Sequence, residues 1–589
     1  MVRSRGLTVR DVLELDTFNG HLASCFAFSP DGGHLAFVVQ RSALRGTSHQ
    51  RFFLANNDRG ELWLADLATR RSRPLAAAVE QGIGFYAPMW SPDGQSIAAT
   101  MIDDTTIRPV AIDAASGTRS LLATLNLAVP IGVPAYHWLA PGRLLYAAMP
   151  EGVLPTLCDT ERRAPRRAME AWRKAWNGSE TTADILDVVP GMEPEQAFLD
   201  PAPVFLVVDL STGATAPLRD DEMTSEVMAF LKRLDRVRID APRQPPRGGF
   251  PDWATAIPLP ESGRLVAAHD GTGRVVHLTE DDHGSRIDVI SAAGEAGPPL
   301  FETNLHLRQV RPGTIQDLQY VAADGSELTA RLLLPPDHRP GERRPAVAWV
   351  YPGHRPGPIM ASDLRLNHAS PFALQLLAAQ GYVVIVPTIP LPTGDPPEDL
   401  LPMLALPVAG AVKAAVAAGI VDPARVHVLG QSFGGWAVMG LLATTDLFRS
   451  GIAMAGFCDL FSLYGGIDAR HRYDDPAGSA FIGPLFVDYS FRFGVPPWRD
   501  AERYLRNSPL SFVENIRAPL LITQGDQDYV SITQGEEMFT ALRRLDRRVR
   551  FLRYWGEGHI LSSPANIEHL WQQIIAWLEQ AEETGNAPA

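Results

Sequence analysis

Gly430-Gln431-Ser432-Phe433-Gly434-Gly435 decides how the C-terminal half of this chain folds. Residues 426–429, Val-His-Val-Leu, read as a short buried strand, and 434–443 as a helix. A serine with glycine two residues to either side, set on a strand-to-helix turn, matches the elbow that lifts a nucleophile above a parallel sheet. The glycines leave room for a strained backbone path.

A serine hydroxyl is a poor nucleophile at neutral pH, so the elbow predicts a carboxylate and then a histidine further along. Both occur in that order. Asp528 lies in Gly525-Asp526-Gln527-Asp528-Tyr529-Val530, just past a predicted strand at 520–523. His559 lies in Trp555-Gly556-Glu557-Gly558-His559, after a predicted strand at 549–554. Ser432, Asp528 and His559 thus all sit at carboxyl ends of strands, where open α/β sheets collect their chemistry. Asp526 competes for the acid role, although its place after Gly525 suits a turn former. An oxyanion needs two donors. The backbone N–H of Phe433 is one. Val350-Tyr351-Pro352-Gly353 offers the Tyr351 hydroxyl as the second, or else Tyr351 is an aromatic at a strand end.

Working outward, short apolar strands (346–350, 382–386) alternate with helical runs (407–418, 533–545, 567–582) from Arg311-Pro312-Gly313 onward. That order predicts an α/β-hydrolase domain over 313–589, a doubly wound, mostly parallel sheet. Residues 20–312 differ. They are dominated by short β runs and turn chemistry, and predict an all-β propeller domain with a helical insertion near 160–190 and a further helix at 221–234. Phe28-Ser29-Pro30-Asp31-Gly32 and Trp90-Ser91-Pro92-Asp93-Gly94 each join two strands through a Pro-Asp-Gly reversal. Ser29 and Ser91 are 62 positions apart (91 minus 29), whereas one blade usually takes roughly 40 to 45 residues. Either the first blade carries an insertion, or the repeats belong to a β-sandwich with ordinary hairpins. Residues 1–19 remain as an N-terminal segment.

A chain of 589 residues exceeds what one core sustains. Its formal charge of −14 argues against a nucleic-acid partner, which would need a basic face. Short Arg-rich runs at 162–167 and 543–550 read as solvated surfaces. The three cysteines, Cys25, Cys158 and Cys458, form no CxxC pair, so neither a disulfide framework nor a metal site is expected, and the motifs imply no cofactor. No stretch approaches about 18 uninterrupted apolar residues, so no membrane span is expected. The first ten residues lack the apolar run of a secretory signal, which makes the cytoplasm the expected location. Self-association as a homo-oligomer is left open.

With these motifs together, the chain resembles the prolyl oligopeptidase family of serine peptidases. The likeness covers nearly its whole length and rests on the SPDG repeats, the GQSFGG elbow, the GDQDYV acid loop, the GEGH loop and VYPG. It implies a propeller that restricts access to the active site, an N-terminal segment (about Thr8 to Asp16) packed on the hydrolase domain, and Tyr351 as an oxyanion donor. The texture is nearest the acylaminoacyl and glutamyl peptidase branches. There are three departures. Glu193 and Glu195 flank Pro194 rather than forming the paired-glutamate helix of dipeptidyl peptidases. The acid loop has one residue fewer than usual between Gly525 and Val530, and the β region is short for seven blades. The aromatic-rich segment with Phe457, Phe461, Tyr464, Phe481, Phe486 and Phe491 corresponds to the region that shapes the primary pocket in relatives. Phe457, Phe461 and Tyr464 are its candidate pocket residues, and they imply an apolar-leaning site.

The expected function is hydrolysis of short or flexible peptides through an acyl-enzyme. The same triad suits an esterase, or a hydrolase of modified peptides such as a lasso isopeptide. A binding protein with a vestigial hydrolase domain is a third reading, opposed by the presence of all three triad members.

Overall fold

The computed structural model describes residues 5–18, 24–46, 59–103, 105–128, 134–151, 153–155, 168–179, 181–182, 202–239, 250–257, 263–355, 364–395, 397–468 and 482–583. Cys158, Arg162–Arg167, Glu193, Glu195 and Phe481 lie outside them. The chain divides into two compact units. One comprises Met1–Val12, Arg163–Glu195 and Gln309–Ala589, the other Leu13–Arg162 and Gln196–Arg308.

The second unit is built from four-stranded antiparallel sheets whose strands pair in chain order. The first holds Phe26–Phe28, His34–Gln40, Gly60–Asp66 and Arg71–Ala76; the second Gly84–Trp90, Ser96–Ile102, Ile107–Asp113 and Arg119–Leu121. The third holds Tyr136–Ala140, Arg143–Ala148, Val204–Asp209 and Thr215–Pro217; the fourth Gly263–His269, Arg274–Asp281, Gly284–Ser291 and Phe301–Thr303. The repeated turns share one chemistry. Ser29 Oγ donates to Asp31 Oδ1 at 2.5 Å and accepts from the His34 N–H at 2.8 Å, while Gly32 takes φ 67°. Ser91, Asp93, Ser96 and Gly94 repeat this at 2.6 Å, 2.9 Å and φ 70°. A third reversal, at Pro141-Gly142 with φ 75°, lacks the Ser and Asp, which hides it from motif reading.

Neighbouring sheets are stitched by side chains. The indole of Trp90 donates to Ala27 O at 3.0 Å, and that of Trp138 to Met89 O at 3.1 Å, so each binds the first strand of the preceding sheet. The fourth sheet reaches back to the first: Arg274 donates to Gly32 O, Arg70 to Pro298 O and Ser72 to Leu300 O, each at 2.8 Å. Asp16 clasps the same pair, accepting from Arg41 Nη1 at 2.8 Å and Thr303 Oγ1 at 2.7 Å. One apolar cluster runs from Leu35 and Phe37 through Phe85, Ile97 and Leu144 to Val276 and Leu278, all fully or almost fully buried. The predicted helix at 221–234 is observed as Ser225–Ile239, which buries Val227, Phe230 and Leu234 against the third sheet. Within the predicted insertion, residues 168–176 are helical.

The first unit carries an eight-stranded sheet: β1 (Thr314–Val321), β2 (Glu327–Leu334), β3 (Arg344–Trp349), β4 (Val383–Pro387), β5 (Val421–Gln431), β6 (Ser450–Met454), β7 (Leu520–Gly525) and β8 (Val549–Tyr554). Their order is β1-β2-β4-β3-β5-β6-β7-β8, antiparallel from β1 to β4 and parallel from there on. The middle strands are buried along their length, as sheets covered on both faces require. Helices α1 (Ala405–Ala417), α2 (Phe433–Thr444), α3 (Thr533–Arg544) and α4 (Pro564–Glu583) belong to this unit. The stretch Leu400–Ala417 has the length and a mean hydropathy of 1.8 that a membrane span would need. Lys413 interrupts it, and Val408, Ala411, Val412 and Ala415 are buried in the core beside β1 and β5. Near the N-terminus, Arg5 donates to both oxygens of Asp11 at 2.5 and 2.6 Å, and its carbonyl accepts from the Arg311 N–H at 2.9 Å.

Candidate active site

The elbow is as tight as its glycines suggest. Ser432 sits at φ 59° and ψ −120°, a region that side-chain-bearing residues rarely occupy and that costs about 1–3 kcal/mol. Its N–H is anchored on Met454 O at 2.8 Å. A Cβ on Gly430 would lie 2.5 Å from Gly434 O, one on Gly434 2.2 Å from Val350 O, and one on Gly435 2.8 Å from Gly456 Cα. All three obstacles are backbone, so no side-chain movement relieves them. The small residues let β3, β5 and the start of α2 close on one another, which raises Ser432 at the head of the helix. Phe433 is the first residue of α2, and its N–H is one of the donors that a helix start leaves unpaired along the axis.

Asp528 and His559 are brought together. Nδ1 of His559 is 2.8 Å from Oδ1 and 3.0 Å from Oδ2 of Asp528, whose side chain is fully buried. Oδ1 also accepts from the Val530 N–H at 2.8 Å. Asp526 is turned elsewhere: it accepts from the Gly556 N–H at 2.6 Å and from Gln527 Nε2 at 2.8 Å, and so ties the acid loop to the histidine loop. Tyr351 projects toward Ser432. Burial raises its phenol above the ordinary range, the nearby Ser432 hydroxyl partly offsets this, and the Tyr489 phenol adds to it.

Four supporting groups escaped motif reading. Glu557 is buried and accepts from Ser562 N–H and Oγ, Ser563 N–H and Asn566 Nδ2 at 2.7 to 3.0 Å. Burial pushes its carboxyl up, but these donors outweigh that and hold it below the usual range. The Tyr529 ring lies 4.3 Å from the His559 imidazole, tilted 34° to it, and Gln524 Nε2 donates to Val530 O at 2.7 Å and Ser531 O at 3.0 Å. Tyr489, 84% exposed, is the fourth. Glu557, Tyr529 and Gln524 lie inside or beside the loops that carry the triad, but only contacts in space give them roles.

The candidate pocket residues fall differently from expectation. Phe457 is fully buried and stacks on Phe433 at 6.3 Å and Trp436 at 6.2 Å, so it is core beneath the elbow. Phe461 and Tyr464 pack edge-on against Tyr504 at 5.6 and 5.8 Å. None of the three lines the cavity of about 280 Å³ next to the Tyr351 loop, whose aromatic lining is Phe491. Aromatic composition alone does not separate a ring that supports the nucleophile from one that meets substrate. Among the described residues no group of three His, Cys, Asp or Glu side chains is arranged to hold a metal, and Cys25 and Cys458 are buried free thiols.

Residues 408–584, which carry the elbow, the acid loop and the histidine loop, match the model of the prolyl oligopeptidase family. This part of the chain is a prolyl oligopeptidase family domain. Curated relatives include an uncharacterised peptidase, YuxL, of Bacillus subtilis, 24% identical over 320 residues (52% of this chain, 45% of that protein). A probable chloroplastic glutamyl endopeptidase of Oryza sativa is 27% identical over 282 residues (45% of this chain, 27% of that protein). The matches thus span less than half of each relative. Among solved structures, the AtxE2 isopeptidase superposes with a TM-score of 0.63 at 16% identity, covering 99% of this chain and 97% of that one. Pyrococcus horikoshii acylaminoacyl peptidase gives 0.55 at 14%, covering 96% and 97%. At such identity the likeness is one of fold. Both neighbours share the fold over nearly the whole of this chain.

Proposed function

We propose that this protein is a serine peptidase that cleaves short or flexible peptides through an acyl-enzyme. The observation that carries the reading is the strained Ser432 at the head of α2, in the same family domain as the buried Asp528–His559 pair. Asp528 holds the proton on Nδ1 of His559, which leaves Nε2 as the base for the Ser432 hydroxyl. Ser432 Oγ attacks the scissile carbonyl, and the oxyanion takes hydrogen bonds from the Phe433 N–H and the Tyr351 hydroxyl. Tyr351 suits that role because burial keeps its phenol protonated, and a protonated phenol donates. His559 then protonates the leaving amine, and a water deprotonated by the same nitrogen hydrolyses the acyl-enzyme.

The four sheets of the second unit are proposed as propeller blades. Each is an antiparallel meander, the first three sheets are joined in turn by equivalent tryptophan bonds, and the fourth binds the first across more than two hundred residues, as a closed ring requires.

Fluorophosphonate labelling tests the nucleophile. Wild type should label and Ser432→Ala should not; equal labelling of both would overturn the assignment. A library of linear, ester-linked and isopeptide-linked substrates, read by mass spectrometry, then reports which acyl bond is cleaved.

A further inference from the structure

The cavity of about 280 Å³ beside the oxyanion loop is lined by Gly353 and Arg355 on one side, Leu391 to Thr393 with Pro397, Glu398 and Leu400 on another, and Ser490 to Arg492 on the third. It adjoins the reacting groups by two routes. Gly353 is two residues beyond Tyr351, and the Phe491 ring packs 5.3 Å from that of Phe433, the residue after the nucleophile. The walls are braced. Gly353 N–H donates to Ile389 O at 2.7 Å, and Ile389 N–H donates back to His354 O at 3.1 Å. Arg492 stands at φ 55°, a conformation that non-glycine residues seldom hold, and its guanidinium reaches Pro392 O and Gly394 O at 3.3 Å each. Tyr489, three residues before it, is solvent-exposed yet close enough to act on the Tyr351 phenol, so this segment borders the catalytic groups.

We infer that this cavity is a substrate subsite for a carboxylate, held between Arg355 and Arg492; the inference deepens the peptidase reading and rests on it. The lining carries two guanidinium groups and one carboxylate, Glu398, and among the described residues neither arginine is ion-paired. The excess positive charge lies on two solvent-exposed residues beside the apolar surface of Leu391, Pro397, Leu400 and Phe491, where an incoming carboxylate can reach it. Guanidinium forks bind carboxylates through paired, charge-assisted hydrogen bonds. The volume suits one residue with an acidic side chain next to the scissile bond, or the free C-terminal carboxylate of a short peptide.

Two matched peptide pairs separate the sources: a Glu peptide against its Gln analogue, both C-terminally amidated, and a neutral peptide as free acid against its amide. Binding to the Ser432→Ala protein is measured by calorimetry, so the test does not depend on turnover. In at least one pair the carboxylate member should bind about tenfold tighter or more. Adding Arg492→Gln or Arg355→Gln should bring that ratio toward one, and the affinity of the neutral member should stay within about threefold. Equal affinities within both pairs, or a ratio unchanged by both arginine substitutions, overturn the subsite. Failure of the wild type to label with fluorophosphonate or cleave any peptide sinks the peptidase reading instead, and leaves the binding result to decide the subsite.

Discussion

Asp528, and not its neighbour Asp526, holds the imidazole of His559, with both carboxylate oxygens within 3.0 Å of Nδ1. Asp528→Asn should therefore lower kcat about 10⁴-fold, since an amide in that place favours the wrong tautomer. Asp526→Asn removes a brace on Gly556 and should cost less than about tenfold. Steady-state kinetics on both variants, with an acyl-enzyme burst, check the ordering; a larger loss for Asp526→Asn would reverse the assignment.

Tyr351→Phe deletes the proposed oxyanion donor but keeps the ring that packs edge-on against Phe433 at 6.2 Å. It should reduce kcat by about 10² to 10³ with little change in KM, the signature of a bond made only in the transition state. A matching rise in KM at constant kcat would give the hydroxyl a binding role instead.

Gly525→Ala tests how closely the acid and histidine loops approach. The new Cβ would lie 2.1 Å from Glu557 O and 2.7 Å from Gly558 O, both backbone. The histidine loop must move, so labelling of Ser432 should slow by about a hundredfold or more while circular dichroism stays near wild type. Normal labelling would mean that the loops separate without displacing His559.

A buried relay at the other end of the sheet sets an acid limit on stability. His427, fully buried, has Nδ1 2.8 Å from Ser450 Oγ and Nε2 2.7 Å from Glu582 Oε1 on α4, with Arg425 and Arg449 nearby. Burial depresses the His427 pKa, only partly offset by Glu582. The unfolded chain then binds the proton first, and stability falls as pH drops below about 6.5. Burial raises the Glu582 pKa, but His427 and Arg425 outweigh this and lower it, so its contribution is lost only below the ordinary carboxylate range. Melting temperature should fall from pH 7 to pH 5, and His427→Gln should flatten that slope while lowering the plateau by several degrees. An unchanged slope would remove His427 as its source.

The serine elbow, the acid and histidine loops and the strand-helix alternation were legible because each is a local pattern: glycines around a serine, a polar loop after an apolar strand. The SPDG reversals were legible for the same reason, and the third, at Pro141-Gly142, was not because its side chains differ. Phe457, Phe461 and Tyr464 show where local pattern runs out. An aromatic in a variable segment has no marker for which side of the elbow it will face, and burial against Trp436 and Tyr504 decided that.

The sequence by itself determined the family domain, the order of its catalytic loops and the division into a β-rich and an α/β part, because these depend on residues close together in the chain. Tertiary structure alone decided that Asp528 rather than Asp526 reaches His559, and that Glu557 anchors the histidine loop. It also decided that Arg274 bonds the fourth sheet to the first, and that Arg355 and Arg492 share one cavity. Each of these is a distance of a few ångströms between groups that the chain separates by up to hundreds of residues, and only packing sets such distances.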